Sequence, residues 1–340
     1  MNDKPITIVS IAKELGISPS TVSRAFDPSS RISDEVRKKI LDHADKLGYI
    51  PNRAASRLSM KRITVGVAMS DLYMPGVNEL MRGINGAFHS LYDYKLGLQR
   101  AMFGKNCRRS LKDALAELDK CDCIIISGCT QADADTVNAL SAVKPVGILQ
   151  SNIPQINSLF TVTPDAVTSA QMAAELLRCC LKNGDGSVML FTGCRSAKIH
   201  SDAADAFEQA ASRLGLTLTA SFDMKDNPDV LNDILADIKD MPGGIYITSG
   251  RSLPLCQRVR KLSPKPALVT FDIYPELEAY LKDGTVDATM YQDLYLQGFK
   301  AFELMVRYMV DSTPPPALYT PTPQLLLPAA LKYYTQPAEK

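Results

Sequence analysis

Apolar positions follow two rhythms along this chain. Up to about residue 58 they recur at helical spacing: Ile8, Ile11, Ala12 and Leu15, then Val22 and Phe26, then Val36, Ile40, Leu41, Ala44 and Leu47. Each run carries its own punctuation. Gly16 follows the first, where a residue tolerant of positive φ ends a helix. Ser18 caps the second, and Pro19 takes the first helical position, where a missing N–H costs nothing. Ser33 caps the third, Asp34 and Glu35 occupy its acid-favouring first turn, and Gly48 closes it. The pattern predicts helix, tight turn, helix, then a third helix.

From Ile63 onward apolar stretches of strand length alternate with helical periods. Strands are predicted over 63–69, 95–99, 123–127, 146–150, 159–162, 188–192, 216–221, 244–248, 267–271 and 286–291. Helices are predicted over 77–91, 109–118, 166–181, 203–214, 230–238 and 294–310. Repeated β-α-β units imply parallel sheets covered by helices, with ligands at the carboxyl ends of the strands. No glycine-rich dinucleotide fingerprint or Walker loop follows any strand, so no nucleotide cofactor is expected.

The second helix buries Val22 and Phe26 and presents Ser20, Thr21, Ser23 and Arg24. Short hydroxyls reach phosphates and base edges, and arginine grips guanine bidentately, so this face suits a DNA major groove. A plain pair of helices in any small domain could share the same turn signals. Charge shifts the balance modestly. Residues 1–62 hold 12 Lys/Arg against 7 Asp/Glu, which leaves 26 against 30 for the remainder, a basic head on a mildly acidic body.

The run from Ile8 to Leu58 resembles the DNA-binding headpiece and hinge of the lactose-repressor (LacI/GalR) family of bacterial transcription regulators. The resemblance rests on Ile11-Ala12, Leu15-Gly16-Ile17-Ser18, Thr21-Val22-Ser23-Arg24, Leu47-Gly48-Tyr49, Pro51-Asn52, Ala55 and Leu58 at several fixed spacings. It implies base contacts by Pro19, Ser20 and Arg24 and phosphate contacts by Thr21, Ser23 and Asn52. It also implies a hinge helix over 52–58 that forms on DNA, with Ala55 packed beside Leu58 as the latter wedges into the minor groove. Two residues depart from the family pattern: Ser10 stands where an acid is usual, and Pro19 where a base-reading side chain is common.

For the body the resemblance implies a periplasmic sugar-binding-protein-like core of two α/β lobes joined by three crossovers. The expected organisation is a helix-turn-helix headpiece over 1–50, a hinge over 51–62 and a two-lobed effector and dimerisation domain over 63–335. Lobe one would comprise 63–158 and 291–319, and lobe two 159–290 and 320–335. Asp272 matches the acid that accepts hydroxyl hydrogen bonds in sugar-binding relatives, and Gln292 the hinge glutamine; Tyr73 or Tyr274 could supply an aromatic face. Asp71 follows the first strand and is a further candidate. An arginine expected in lobe two is replaced by Ala203, and Ser249-Gly250 stand where Asn-Asp is expected. Arg195, His200, Ser201, Ser249 and Arg251 could rebuild the pocket for a phosphorylated or acidic ligand instead.

The eight cysteines form no paired Cys-x-x-Cys motif and the histidines are scattered, so no metal site is expected and free thiols suit a cytoplasm. No signal core or membrane-length apolar run occurs. No nucleophile–base constellation suggests a catalytic residue. The reading is a homodimeric repressor of a near-palindromic DNA operator, controlled by a sugar or polyol. A regulator using a protein or phosphorylated corepressor stays open, as does a sugar-binding protein or enzyme with a helical appendage.

Overall fold

The computed structural model describes residues 6–26, 30–49, 61–71, 74–181 and 186–334. The chain divides into a small N-terminal helical unit and a large α/β unit that begins at Arg62.

In the helical unit, α1 (Ile8–Leu15), α2 (Pro19–Ala25) and α3 (Asp34–Lys46) follow the predicted punctuation. Ser10, the departure noted above, completes a capping box. Its hydroxyl accepts from the Thr7 amide at 2.8 Å, while the Thr7 hydroxyl accepts from the Ser10 amide at 3.2 Å. Gly16 at φ 66° closes α1, and Ser18 caps α2 through the Thr21 amide at 3.1 Å. Ile11, Ala12, Val22, Ala25, Ile40 and Ala44 form the core, with Phe26, Leu47 and Tyr49 packed at its edge. The stripe predicted on α3 is corrected at two positions, since Val36 and Leu41 are exposed. The core-facing line is Ile40 and Ala44, one turn apart, and beside it Arg37 turns inward rather than Val36. The Arg37 guanidinium donates to the carbonyls of Ala25 at 2.9 Å and Ser30 at 2.8 Å, which ties α3 to the end of α2.

The large unit holds two six-stranded sheets. The first contains β1 (Ile63–Ser70), β2 (Leu96–Phe103), β3 (Cys123–Ser127), β4 (Val146–Leu149), β5 (Phe160–Val162) and β11 (Leu318–Tyr319) in the order β11-β5-β4-β3-β1-β2. All its pairings are parallel. The second contains β6 (Ser187–Thr192), β7 (Thr217–Asp223), β8 (Gly244–Ile247), β9 (Ala267–Phe271), β10 (Ala288–Tyr291) and β12 (Gln324–Leu326) in the order β12-β10-β9-β8-β6-β7. Only β12 runs antiparallel there, against β10. Because β5 pairs with β4, the chain leaves the first lobe after Val162, whereas the second lobe was expected to begin at 159. It passes between lobes again after Tyr291 and after Tyr319. The sheets are fully apolar along several strands, as parallel strands buried on both faces must be; Cys123–Ser127 and Gly244–Ile247 are buried at every position.

Helices cover both faces. In the first lobe the helices Met74–Ser90 and Leu294–Asp311 pack on one another, and glycines set how closely. A Cβ on Gly83 would stand 1.9 Å from the Tyr295 carbonyl oxygen, and one on Gly298 would stand 2.1 Å from that of Leu80. The apolar face of the first of these helices is therefore taken up inside the lobe. Short helices at Ala134–Ser141, Leu253–Val259 and Leu277–Lys282, and the short strands β11 and β12, were not predicted; the strands are too short for a period to show, and the helices lack the side-chain caps that mark α1 and α2.

Gly298→Ala should force the two helix backbones apart and cost about 1–3 kcal/mol, as overpacking does. A fall in the urea midpoint checks this; a stabilised variant, as expected for glycine to alanine in an open helix, would contradict the close crossing.

Candidate functional site

Two surfaces carry chemistry, one in each unit. On the helical unit, Pro19, Ser20, Ser23 and Arg24 are exposed along α2 and Thr21 is half-buried. The Ser18 hydroxyl lies 2.7 Å from that of Ser20 and 2.8 Å from that of Thr21, so the helix start is a small hydroxyl cluster. The Arg24 side chain projects from α2 while its carbonyl accepts from Arg37 at 3.4 Å. Asn52, Ala55 and Leu58, the candidate hinge contacts, lie outside the described residues.

In the large unit a cavity of about 260 Å³ lies between the lobes. It is built where doubly wound sheets place ligands, at the carboxyl ends of strands. Lobe one contributes Ser70, Ser127 and Gln150, which end or follow β1, β3 and β4. Lobe two contributes His200, Asp226, Thr248, Ser249, Arg251 and Asp272, and the crossover contributes Gln292.

Asp272 follows β9 in a left-handed conformation, φ 63°, held by its own amide on the Met290 carbonyl at 2.7 Å. Its two oxygens both accept from the Gln292 amide nitrogen, at 2.7 and 2.8 Å. Burial pushes this carboxyl up to about 7, against the opposing pull of the Gln292 hydrogen bond and of His200. Gln292 is fixed in turn. Gln297, wholly buried, donates to the Gln292 carbonyl at 2.7 Å, and Gln150 donates to the side-chain oxygens of both Gln297 and Gln292.

The opposite corner is organised by His200. One ring nitrogen lies 3.2 Å from the Thr248 hydroxyl and the other 3.3 Å from the Asp226 carboxylate. Asp226 also accepts from Ser249 at 2.9 Å. Burial works to raise the Asp226 carboxyl, yet hydrogen bonding and charge from His200, with Ser249 and Arg251, hold it below the usual carboxylate range.

Of the residues predicted from sequence, His200, Ser249, Arg251, Asp272 and Gln292 meet in this cavity. Four candidates, Asp71, Tyr274, Ser201 and Arg195, do not line it. The Asp71 carboxylate accepts from the Cys107 amide at 2.6 Å and fixes the loop after β2. Tyr274 is buried in the lobe-two core beside Leu255 and Leu277, its hydroxyl 2.7 Å from that of Ser252. Ser201 is one residue beyond His200 on the helix Lys198–Arg213, and that step rotates it about 100° from the cavity. Tyr73 lies outside the described residues. Arg195 is engaged at the lobe-two surface by Glu208 and by Ser221 at 2.8 Å. Phe271 supplies the aromatic wall that a tyrosine was expected to give, and Ala203, where an arginine was expected, is part of the lining. Gln150, Asp226 and Thr248 escaped the sequence reading; each lies just after a strand end, a signal that narrows the search, but the left-handed backbone that aims Gln150 and Asp226 at the cavity is not written in the sequence.

Among the described residues no cluster of three or more His, Cys, Asp or Glu could hold a metal ion, and no helix is long and apolar enough to cross a membrane.

Comparison with known proteins gives a family match to each unit. Residues 7–52 match the model for bacterial regulatory proteins of the lacI family, and residues 109–312, more than half the chain, match that for a periplasmic binding protein domain. Catabolite control protein A of Priestia megaterium is 26% identical over 219 residues, 64% of this chain and 64% of the relative. The lactose operon repressor of Escherichia coli strain K12 is 35% identical over 82 residues, 24% of this chain and 23% of the relative. The chain thus spans less than two thirds of the length of these relatives. Among solved structures, the Lac repressor dimer bound to operator and the anti-inducer ONPF shares the fold at TM-score 0.64 and 18% identity, over 95% of this chain and 98% of that one. A glucose-galactose binding protein from Geobacillus stearothermophilus shares it at TM-score 0.68 and 21% identity, over 80% of this chain and 99% of that one.

The raised carboxyl of Asp272 has a stability consequence. A folded-state value near 7 lies above the unfolded value near 4, so the contribution of Asp272 is fully present below about pH 4 and is lost as pH rises through about 7. The stability of Asp272→Asn relative to the native chain should therefore increase between those limits. Denaturant unfolding of both proteins across pH 4–8 checks it; a difference independent of pH would show that the buried carboxyl titrates normally.

Proposed function

The chain belongs to the LacI family of bacterial regulatory proteins, and from that premise we propose that it is a sequence-specific DNA-binding transcription regulator, a homodimeric repressor governed by a small polar metabolite. The observation that carries the reading is the pairing of two built surfaces in one chain. A capped helix exposes hydroxyls and Arg24, and a separate cavity surrounds a buried carboxylate with amides and hydroxyls.

Two headpieces on a dimer read two half-sites of a near-palindrome, which supplies the affinity and selectivity that one short helix lacks. Pro19, Ser20 and Arg24 read bases, Thr21, Ser23 and Asn52 hold phosphates, and Leu58 with Ala55 serves the minor groove. The hydroxyl cluster at Ser18, Ser20 and Thr21 supports phosphate binding, because it lies at a helix N-terminus where the dipole favours anions. In the cleft, ligand contacts that differ between open and closed lobes bias the lobe arrangement and through it the DNA-competent dimer. A sugar or polyol suits Asp272 and Gln292, since polyols need groups that both donate and accept.

The test is selection of fragments from the source genome by the purified full chain at near-physiological salt, without ligand and with a cell extract added. Enrichment of one near-palindrome in either condition is the expected result; none in both would remove the regulator reading. On the selected site, Arg24→Ala should cost about 1–3 kcal/mol while barely changing affinity for random duplex, if Arg24 reads guanine. Equal losses on both would make Arg24 a phosphate contact.

A further inference from the structure

Asp226 is not matched by any motif in the sequence, yet its surroundings are constructed around it. Lys225 and Asp226 both adopt left-handed backbone, φ 52° and 50°, conformations that ordinary residues occupy only when their surroundings enforce them. The Asp226 amide donates to the Gly193 carbonyl at 2.9 Å, which pins this turn to the end of β6. Gly193 itself has no room for a side chain: a Cβ would stand 2.5 Å from the His200 ring and 2.6 Å from an Asp226 oxygen.

Among the described residues each Asp226 oxygen has one partner, Ser249 on one and His200 on the other, whereas a carboxylate offers about four lone-pair sites. Capacity remains on an atom that lines the cavity. His200, by contrast, is committed at both ring nitrogens, to Thr248 and to Asp226, so it braces the carboxylate rather than meeting a ligand.

We propose that Asp226 is a second effector-contacting carboxylate, and that with Asp272 it makes the cleft select an uncharged or amine-bearing ligand and reject a phosphorylated one. This rests on reading the cleft as the effector site. The selection follows from the charges on the walls. Among the described lining residues the acids are Asp226 and Asp272, the fixed cation is Arg251, and His200 is an imidazole already held between Thr248 and Asp226. Arg251 thus stands on the same walls as two acids, and the His200 ring is already held 3.3 Å from one of them, Asp226. A phosphate entering the cavity would compete with Asp226 for Arg251 and face two acids on the same walls, the arrangement by which sites discriminate through repulsion. A donor-rich ligand instead satisfies acceptors from two sides.

The experiment incubates the full chain with a polar small-molecule extract of the cells that produce it and identifies retained molecules by mass spectrometry. The retained molecule and its phosphate ester are then titrated calorimetrically into the native chain and into Asp226→Asn. The expected result is a retained neutral or amine-bearing molecule, bound at least tenfold more tightly than its phosphate ester by the native chain and at least tenfold more weakly by Asp226→Asn. Retention of a phosphorylated or carboxylate-bearing molecule, equal binding of molecule and ester, or an unchanged affinity in the variant would overturn the proposal. So would retention of nothing. The comparison of molecule with ester uses only the native chain and stands even if the variant misfolds. Fragment selection on the same preparation shows separately whether the regulator reading holds.

Discussion

The cleft depends on one interaction, the Gln292 amide donating to both oxygens of a carboxylate that solvent barely reaches. A buried carboxylate without compensation is costly, and one neutral amide compensates it only in part, which is why burial still drives the Asp272 carboxyl up to about 7. Asp272 follows a lobe-two strand and Gln292 lies on a crossover, so this bond also ties a lobe wall to a segment that joins the lobes. A donor brought to Asp272 competes with, or adds to, a bond the crossover already uses.

From Gln292 the polar network continues into lobe one. Gln297 is in the first turn of the helix Leu294–Asp311, and Gln150 follows β4, so amides from both lobe-one elements orient the crossover glutamine. That helix is locked to Met74–Ser90 by glycines that leave no room for a methyl group. A closely packed helix pair thus underlies the polar crossover on the lobe-one side. Lobe two supplies the wall that differs in character, with Asp226, His200, Ser249 and Arg251 gathered around the Gly193 turn.

Much of this was legible in the sequence for identifiable reasons. Capping residues Ser18 and Ser33 and the turn at Gly16 act locally, and the helical unit follows them. Parallel strands buried on both faces read as apolar runs, so Cys123–Ser127 and Ala267–Phe271 stand at their predicted limits. Asp272 and Gln292 were found through the family resemblance. What was hidden depends on tertiary direction. Tyr274 looked like a cleft residue because it lies near Asp272 in sequence, but its side chain enters the core. Asp71 was spent on a loop amide that sequence does not place beside it. Asp226 and Gln150 were missed because their backbone conformations, not their neighbours in sequence, aim them at the cavity. Arg37 took an inward position on α3 because its guanidinium is the donor to the Ala25 and Ser30 carbonyls at and after the end of α2, a demand invisible to an apolar-stripe reading.

The claim that ties these parts together is that occupancy of the Asp272 site controls DNA binding. The most direct measurement is the equilibrium affinity of the full chain for the DNA fragment it selects, titrated with the polar extract of its source cells, for the native chain and Asp272→Ala in parallel. The account predicts a change of at least tenfold in operator affinity for the native chain and none on titrating the variant. A native chain that does not respond, or a variant that responds equally, would contradict it.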